Sequence, residues 1–396
     1  MAPYHLRMHS FDTTLLQITD RIQAAAAART PLRLRSGGSK DFYGEPPQGE
    51  LLDLSALRGI TSYEPTELVV TVRAGTPLVE LEAALAGKGQ CLAFEPPHFG
   101  TSEGQPGSAT VGGMVAAGLS GPARASVGSV RDYVLGLQLI NGKGEHLTFG
   151  GQVMKNVAGY DVSRLMVGAL GTLGVLTEIS LKVLPVAPAE ATLMCGGLAQ
   201  QPALDLLNRW GGQPLPLNAS CWVHDDTASP VSDYLFVRLR GAVAAVDAAL
   251  PRMMADVQAL GGAAVRMDNA QAGPDWTACR NQTLPFFSAP APDLCLWRLS
   301  VPQTAPALPL PFAQFIEWHG AQRWLWAPAS AHTQLRQAAA DVGGTATIFI
   351  AAHTSNTCAT GRFNPLTPAL TPIHQRLKAE FDPAGIFNRG RLVAAW

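Results

Sequence analysis

Three short segments of this 396-residue chain are built from residue types that let backbone approach a ligand closely. The first is Arg35-Ser36-Gly37-Gly38-Ser39-Lys40. The second is Gly107-Ser108-Ala109-Thr110-Val111-Gly112-Gly113, continuing from Met114 through Ala117 to Gly118. The third is Gly168-Ala169-Leu170-Gly171-Thr172-Leu173-Gly174-Val175. Backbone N–H groups in tight glycine turns point outward and form a nest for phosphate oxygens. Glycines without a Cβ also admit a planar ring. Neither the GxGxxG loop of a Rossmann fold nor the GxxxxGK[ST] loop of a P-loop enzyme occurs, so any nucleotide site must be of another kind. Each segment alone also reads as ordinary punctuation: a surface turn, a helix start, a run into a strand. Their order, each tied to a strand or helix edge, makes them informative together.

Acid–base and anion-binding candidates are sparser. His353 follows a strand-like run and is a candidate base, although an isolated histidine is more often structural. Arg238, Arg240 and Arg298 fall on strand-like runs and could hold a carboxylate, or could be solvated charges and structural pairs. Trp297, Trp324 and Trp326 read as core rather than as a stacking platform. The six cysteines (Cys91, Cys195, Cys221, Cys279, Cys295 and Cys358) are scattered, with no CxxC pair. They read as buried reduced thiols rather than metal or iron–sulfur ligands, so no metal is expected.

Composition bounds the partners. With 47% hydrophobic and 15% charged residues the chain reads as ordinary globular protein. A net charge of -1 and a pI near 6.8 give no footprint for nucleic acid or an anionic membrane. No secretory signal or apolar run long enough to span a bilayer is seen, so the expectation is a cytoplasmic protein.

The elements that must position these segments are legible in outline. Leu15, Ile18, Ile22 and Ala25 recur at helical spacing and predict an N-terminal helix ending before Pro31. Strands are predicted at Leu32 to Leu34, Leu51 to Leu54 and Leu68 to Val72. Thr76 and Pro77 offer an N-cap and first-turn proline to a helix through Leu81 and Leu85. Val134 to Ile140 and Glu145 to Phe149 flank Asn141-Gly142, a hairpin signal. Residues Val175 to Val183 alternate cleanly as a strand ending at Pro185. After a boundary at Pro185 to Ala189, strand-like runs at Asp233 to Arg240, Leu294 to Ser300 and Thr345 to Ala351 alternate with helical patterns such as Val243 to Leu260 and His332 to Val342. That texture predicts a sheet with helices on one face. A last helix runs through Ile373 and Leu377 to a loop at Asp382-Pro383.

The glycine-rich segments, with Asn156-Val157-Ala158-Gly159-Tyr160-Asp161, resemble the FAD-binding domain of the vanillyl-alcohol-oxidase and p-cresol-methylhydroxylase (PCMH) superfamily, over roughly the first half of the chain. Gly112 to Pro122, Val153 to Asp161 and Phe381-Asp382-Pro383-Ala384-Gly385-Ile386-Phe387-Asn388 are similar to the FAD-binding subunits of glycolate oxidase, also called glycolate dehydrogenase. The resemblance implies an α+β chain: a two-part PCMH-type FAD-binding domain (residues 1–185), an α+β cap (190–352) and a C-terminal segment (353–396) returning to the first domain.

The resemblance also implies site residues. Arg35, Ser36, Gly37, Gly38, Ser39 and Lys40 would hold the pyrophosphate of FAD. Gly107, Ser108, Ala109, Thr110, Gly112, Gly113, Ala117 and Gly118 would line the flavin. Gly171, Gly174 and Val175 would bracket the adenine side, with Asn388 contributed from the C-terminal segment. Many relatives attach flavin covalently through a histidine in the first loop. This loop has Ser39-Lys40 instead, so dissociable FAD is expected. The implied function is oxidation of a small 2-hydroxy acid such as glycolate, in a complex with a catalytic flavoprotein subunit and an iron–sulfur subunit. Any attachment to the inner face of the membrane would come through those partners. Related dehydrogenases carry a histidine and acidic metal cluster in the cap, and His224, His319, His353 and His374 do not have its spacing. A relay or scaffold subunit without its own active site is therefore an alternative, as is a stand-alone sugar or lactone oxidase. The sequence names no catalytic residue.

Overall fold

The computed structural model describes residues 4–100, 109–151, 160–225, 232–352, 361–394 and 396. The N-terminal helix, Tyr4–Ala28, buries Ile18, Ile22 and Ala25 on one face. They pack with Leu32, Leu52, Ile140, Val175 and Phe387. The helix ends at Arg29, whose positive φ of 54° takes the chain out of the helical path before Pro31. The next strand, Leu32–Arg35, pairs in parallel with Glu50–Asp53.

The first sheet has five strands in the order Ile60–Glu64, Val69–Arg73, Val175–Lys182, Val134–Ile140, His146–Gly150, with antiparallel neighbours throughout. The alternation in Val175–Lys182 predicts one buried face. Because the strand is central, Leu176 and Ser180 of the other face are buried as well. The expected hairpin forms, with Asn141 Oδ1 accepting the N–H groups of Lys143 and Glu145, both at 3.0 Å. Helices Leu78–Ala86 and Val111–Ala117 cover the sheet through Leu78, Leu81, Leu85, Val111, Met114 and Val115. Thr76 does not cap the first of these. Pro77 holds the N-cap position, and Thr76 Oγ1 accepts the Gly59 N–H at 2.8 Å, which pins the entry to the helix to the turn that precedes Ile60–Glu64.

The chain enters the second sheet at Ala189. Its eight antiparallel strands run Ala263–Arg266, Ala189–Gly196, Ser232–Gly241, Leu217–Asp225, Gln314–Glu317, Gln322–Pro328, Leu294–Ser300, Thr345–Ile350. Helices Gln200–Gly211, Val243–Ala259 and His332–Asp341 cover one face. The expectation of helices on one face only is corrected by Asn269–Asn281, which lies on the opposite face. There Ala272, Trp276 and Cys279 pack with Ala219, Phe315 and Trp324 of the sheet and with Tyr43, Leu119 and Leu170 of the first unit. The sheet can take helices on both faces because its strands bury alternate residues on each: Cys295, Trp297 and Leu299 outward, Leu296 inward.

The C-terminal helix Leu370–Phe381 leads back to the first unit. Leu32 N–H donates to Ile386 O at 2.7 Å and Asn388 N–H to Leu32 O at 2.9 Å, so the returning chain lies along the first strand. A buried Lys378 ammonium fixes this turn. It donates to Asp382 Oδ2 at 2.7 Å, Thr172 O at 2.7 Å and Phe387 O at 3.1 Å.

Candidate cofactor cradle

The first loop, the helix Val111–Ala117 and the third glycine segment converge on one open cavity. Residues Leu34 to Asp41 form one wall, and Thr110, Gly112, Gly113, Ala116 and Ala117 a second. Leu170, Gly171, Gly174 and Leu176 form the third. Asn388 and Arg391 close it from the C-terminal segment.

Glycine is required at two of these positions. Gly38 has φ +73°, and a Cβ there would lie 2.2 Å from Arg35 Nη2. Gly112 N–H donates to Ala74 O at 2.7 Å, and a Cβ on Gly112 would meet the Ala74 Cβ at 2.7 Å. The helix start therefore lies directly on the strand end, which keeps this wall thin. Thr110 caps that helix by accepting the Gly113 N–H at 3.2 Å.

The electrostatics favour an anion. Lys40 is buried; its Nζ donates to Ser39 Oγ at 3.2 Å and lies 5.7 Å from the Phe99 ring centroid. Among the described residues it has no carboxylate within ion-pair distance, and burial pulls its pKa down to about 8. Buried Arg391 donates through Nη2 to Lys40 O at 2.8 Å and Tyr43 O at 3.2 Å, while its Nε has no hydrogen-bond partner among the described residues. Two buried cations beside a glycine cradle are what a diphosphate would complement. Arg35, by contrast, is already paired, its Nε 2.7 Å from Asp41 Oδ2. Asn388 ties two walls together: Oδ1 accepts Leu34 N–H at 2.9 Å and Nδ2 donates to Leu170 O at 2.7 Å.

Not every expected residue lines this cavity. Ala109 and Val175 are buried in the core, and Gly118 faces a neighbouring opening with Arg124 and Tyr43. Gly107, Ser108, Asn156 to Gly159 and His353 lie outside the described residues. Asp161 accepts the Arg164 N–H at 3.1 Å as a helix cap. Sequence reasoning missed Asp41, Leu54, Ala74 and Arg391 as lining residues. Only Arg391, a basic residue three positions after Asn388 in the returning segment, carried a usable signal.

The cap arginines separate by environment. Arg238 and Arg240 are structural pairs held by Glu95, whereas Arg298 donates to the hydroxyl of Tyr43 at 3.0 Å. His319 is buried between Ser220 Oγ at 2.9 Å and Ser126 Oγ at 3.0 Å, and burial lowers its pKa to about 4. Trp297 and Trp324 are core residues, and Trp326 is half-buried with its Nε1 donating to Phe286 O at 2.7 Å. Among the described residues, no three His, Cys, Asp or Glu side chains converge as a metal site, and no helix is long and apolar enough to cross a membrane.

Residues 13–150 match the family described as an FAD binding domain. A solved structure of alkyldihydroxyacetonephosphate synthase superposes with a TM-score of 0.65 at 13% identity, over 94% of this chain and 74% of that one. Fold and matched segment together define a PCMH-type FAD-binding chain with an α+β cap. The chain is 46% identical to glycolate oxidase subunit GlcE of Escherichia coli (strain K12) over 377 residues, 95% of this chain and 97% of that one. It belongs to the GlcE family of glycolate oxidase subunits. Glycolate oxidase subunit GlcD of Bacillus subtilis (strain 168) is 32% identical over 168 residues, 42% of this chain and 34% of that one.

Proposed function

We propose that this chain holds one dissociable FAD in the cradle and serves as a flavin subunit of a glycolate-oxidising complex. The observation that carries the reading is the pair of buried cations, Lys40 and Arg391, facing a glycine-walled cavity in a chain of the GlcE family. Lys40 and Arg391 would neutralise the diphosphate, and the Gly38 turn would supply N–H donors to its oxygens. The Thr110 to Ala117 wall would lie along the cofactor, and Asn388 would hold the opposing walls at fixed separation. Bound FAD supplies a hydride acceptor for the carbon that bears the substrate hydroxyl. The Ser39 side chain cannot form the histidyl link known in this superfamily, which supports non-covalent binding.

The partners in this reading are a catalytic flavoprotein subunit and an iron–sulfur subunit, which pass electrons onward and bring the complex to the inner face of the membrane from the cytoplasmic side. Glycolate added anaerobically to the FAD-loaded chain, alone and then with its partner subunits, tests the assignment. Flavin that bleaches with glycolate alone makes this chain an oxidising subunit. Flavin that bleaches only after the partners are added makes it a relay. Flavin that stays oxidised in both overturns the proposal.

A further inference from the structure

Ala117 and Leu170 of the cradle also line a second cleft, of about 540 Å³, together with Tyr43, Gly118, Gly168 and Arg124. That volume lies within the range of small-ligand sites, roughly 300–1,000 Å³. One wall of the cleft is backbone. Gly118, at φ +66°, approaches Gly168 so closely that a Cβ on it would lie 3.0 Å from Gly168 Cα, and Leu170 N–H donates to Ala116 O at 2.9 Å. Because the two spaces share lining residues, a ligand in the cleft is a neighbour of whatever the cradle holds.

The cleft is positive, and the geometry shows which charge is free to bind. Arg124 and Arg131 line it, with Asp132 as the one carboxylate among its described lining residues. Asp132 is committed to its own turn: its Oδ2 accepts the Ser129 N–H at 2.8 Å and the Ser129 hydroxyl at 3.0 Å, closing the capping box of Val130–Tyr133. Arg131 spends a donor on Val167 O at 3.4 Å. Arg298 reaches the rim of the same cleft through the Tyr43 hydroxyl at 3.0 Å. Arg124 is held differently. Its guanidinium carbon lies 4.4 Å from the Trp318 ring centroid, and that ring is itself buried and fixed by Nε1 donating to Gly121 O at 2.9 Å. Stacking takes one face of the guanidinium and leaves its N–H edge, which has no acceptor or ion-pair partner among the described residues, to a ligand.

We propose that Arg124 is the carboxylate-binding residue of the substrate site, holding a small 2-hydroxy acid in this cleft beside the cradle. Its planar fork matches a carboxylate, and the stack on Trp318 sets the plane in which the acid is held. Arg131 adds a second positive charge, so the cleft selects anions over neutral molecules of the same shape. This assignment rests on the reading that the chain holds FAD and takes part in glycolate oxidation.

The test is isothermal titration calorimetry on the full chain loaded with FAD, with oxamate, a small carboxylate that cannot give up a hydride, and with its uncharged isostere oxamide. The wild type is expected to bind oxamate at least about tenfold more tightly than oxamide. Arg124→Gln should lose about tenfold or more in oxamate affinity while retaining FAD. Arg124→Lys keeps the charge but not the fork, and should fall between the two, about threefold or more below wild type. An Arg124→Gln chain that retains FAD and binds oxamate within about twofold of wild type overturns the assignment. If Arg124→Gln fails to hold FAD, Arg124→Lys carries the test, and a wild-type affinity in it overturns the assignment. So does a wild type that holds FAD but binds both ligands equally or neither, and in these cases FAD binding stands. A wild type that holds no FAD overturns both the assignment and the reading beneath it.

Discussion

Arg238 Nη2 lies 2.7 Å from each carboxylate oxygen of Glu95, across the seam between the cap sheet and the first unit. Arg240 Nη1 adds a second contact to Glu95 Oε1 at 2.7 Å. Burial alone would raise the pKa of Glu95, but the two guanidinium groups outweigh it and hold the carboxyl below its usual range. One carboxylate from a loop of the first unit therefore serves two strand arginines of the cap, and Arg238 is only 2% exposed.

Glu95→Gln should accordingly destabilise the chain far more than a surface charge change. The substitution leaves the buried Arg238 without its counter-ion, a loss of about 3–5 kcal/mol. Urea unfolding of the two chains measures it, and a difference below about 1 kcal/mol would show that the seam does not depend on this contact.

FAD affinity should fall as pH rises through about 8, where buried Lys40 loses its proton. The sign follows from the ligand: a diphosphate prefers the charged ammonium, which is present below that pKa and absent above it. Titrations of flavin fluorescence across this range should show the loss in wild type and not in Lys40→Met, whose affinity should be uniformly about tenfold or more weaker. A wild-type affinity independent of pH would remove Lys40 from the cradle.

His319 gives stability its acid limb. Its pKa falls from 6.5 to about 4 on burial, so the folded chain holds it neutral while the unfolded chain takes up a proton. That contribution is complete above about pH 6.5 and is lost as pH falls toward 4, to a total of about 3 kcal/mol. His319→Gln should flatten the stability profile over this window, and an unchanged slope would contradict the assignment.

Much of the first unit was legible because its signals are local. The Asn141-Gly142 turn and the alternation of Val175 to Lys182 each specify an element within a few residues. The cap was harder to read. Gln322–Pro328 buries Arg323, whose guanidinium donates to the carbonyls of Ala305, Pro306 and Gly320, partners that no local pattern announces. Leu217–Asp225 likewise buries Asn218 and Ser220, one bonded to Arg238 and the other to His319. Asn269–Asn281 carries Pro274 in its interior and only a weak apolar periodicity, so its place under the inner face was not foreseeable. For the cradle, the glycine-rich segments were legible, but Ala74 and Leu54 enter only because the helix start docks on a strand end.

The most direct test of the cofactor assignment is the FAD content of the purified, desalted full-length chain, read by flavin absorbance before and after acid precipitation. One FAD per chain is expected before precipitation, and free flavin in the supernatant afterwards. No flavin at all after incubation with FAD, or flavin that stays with the precipitate, would contradict it.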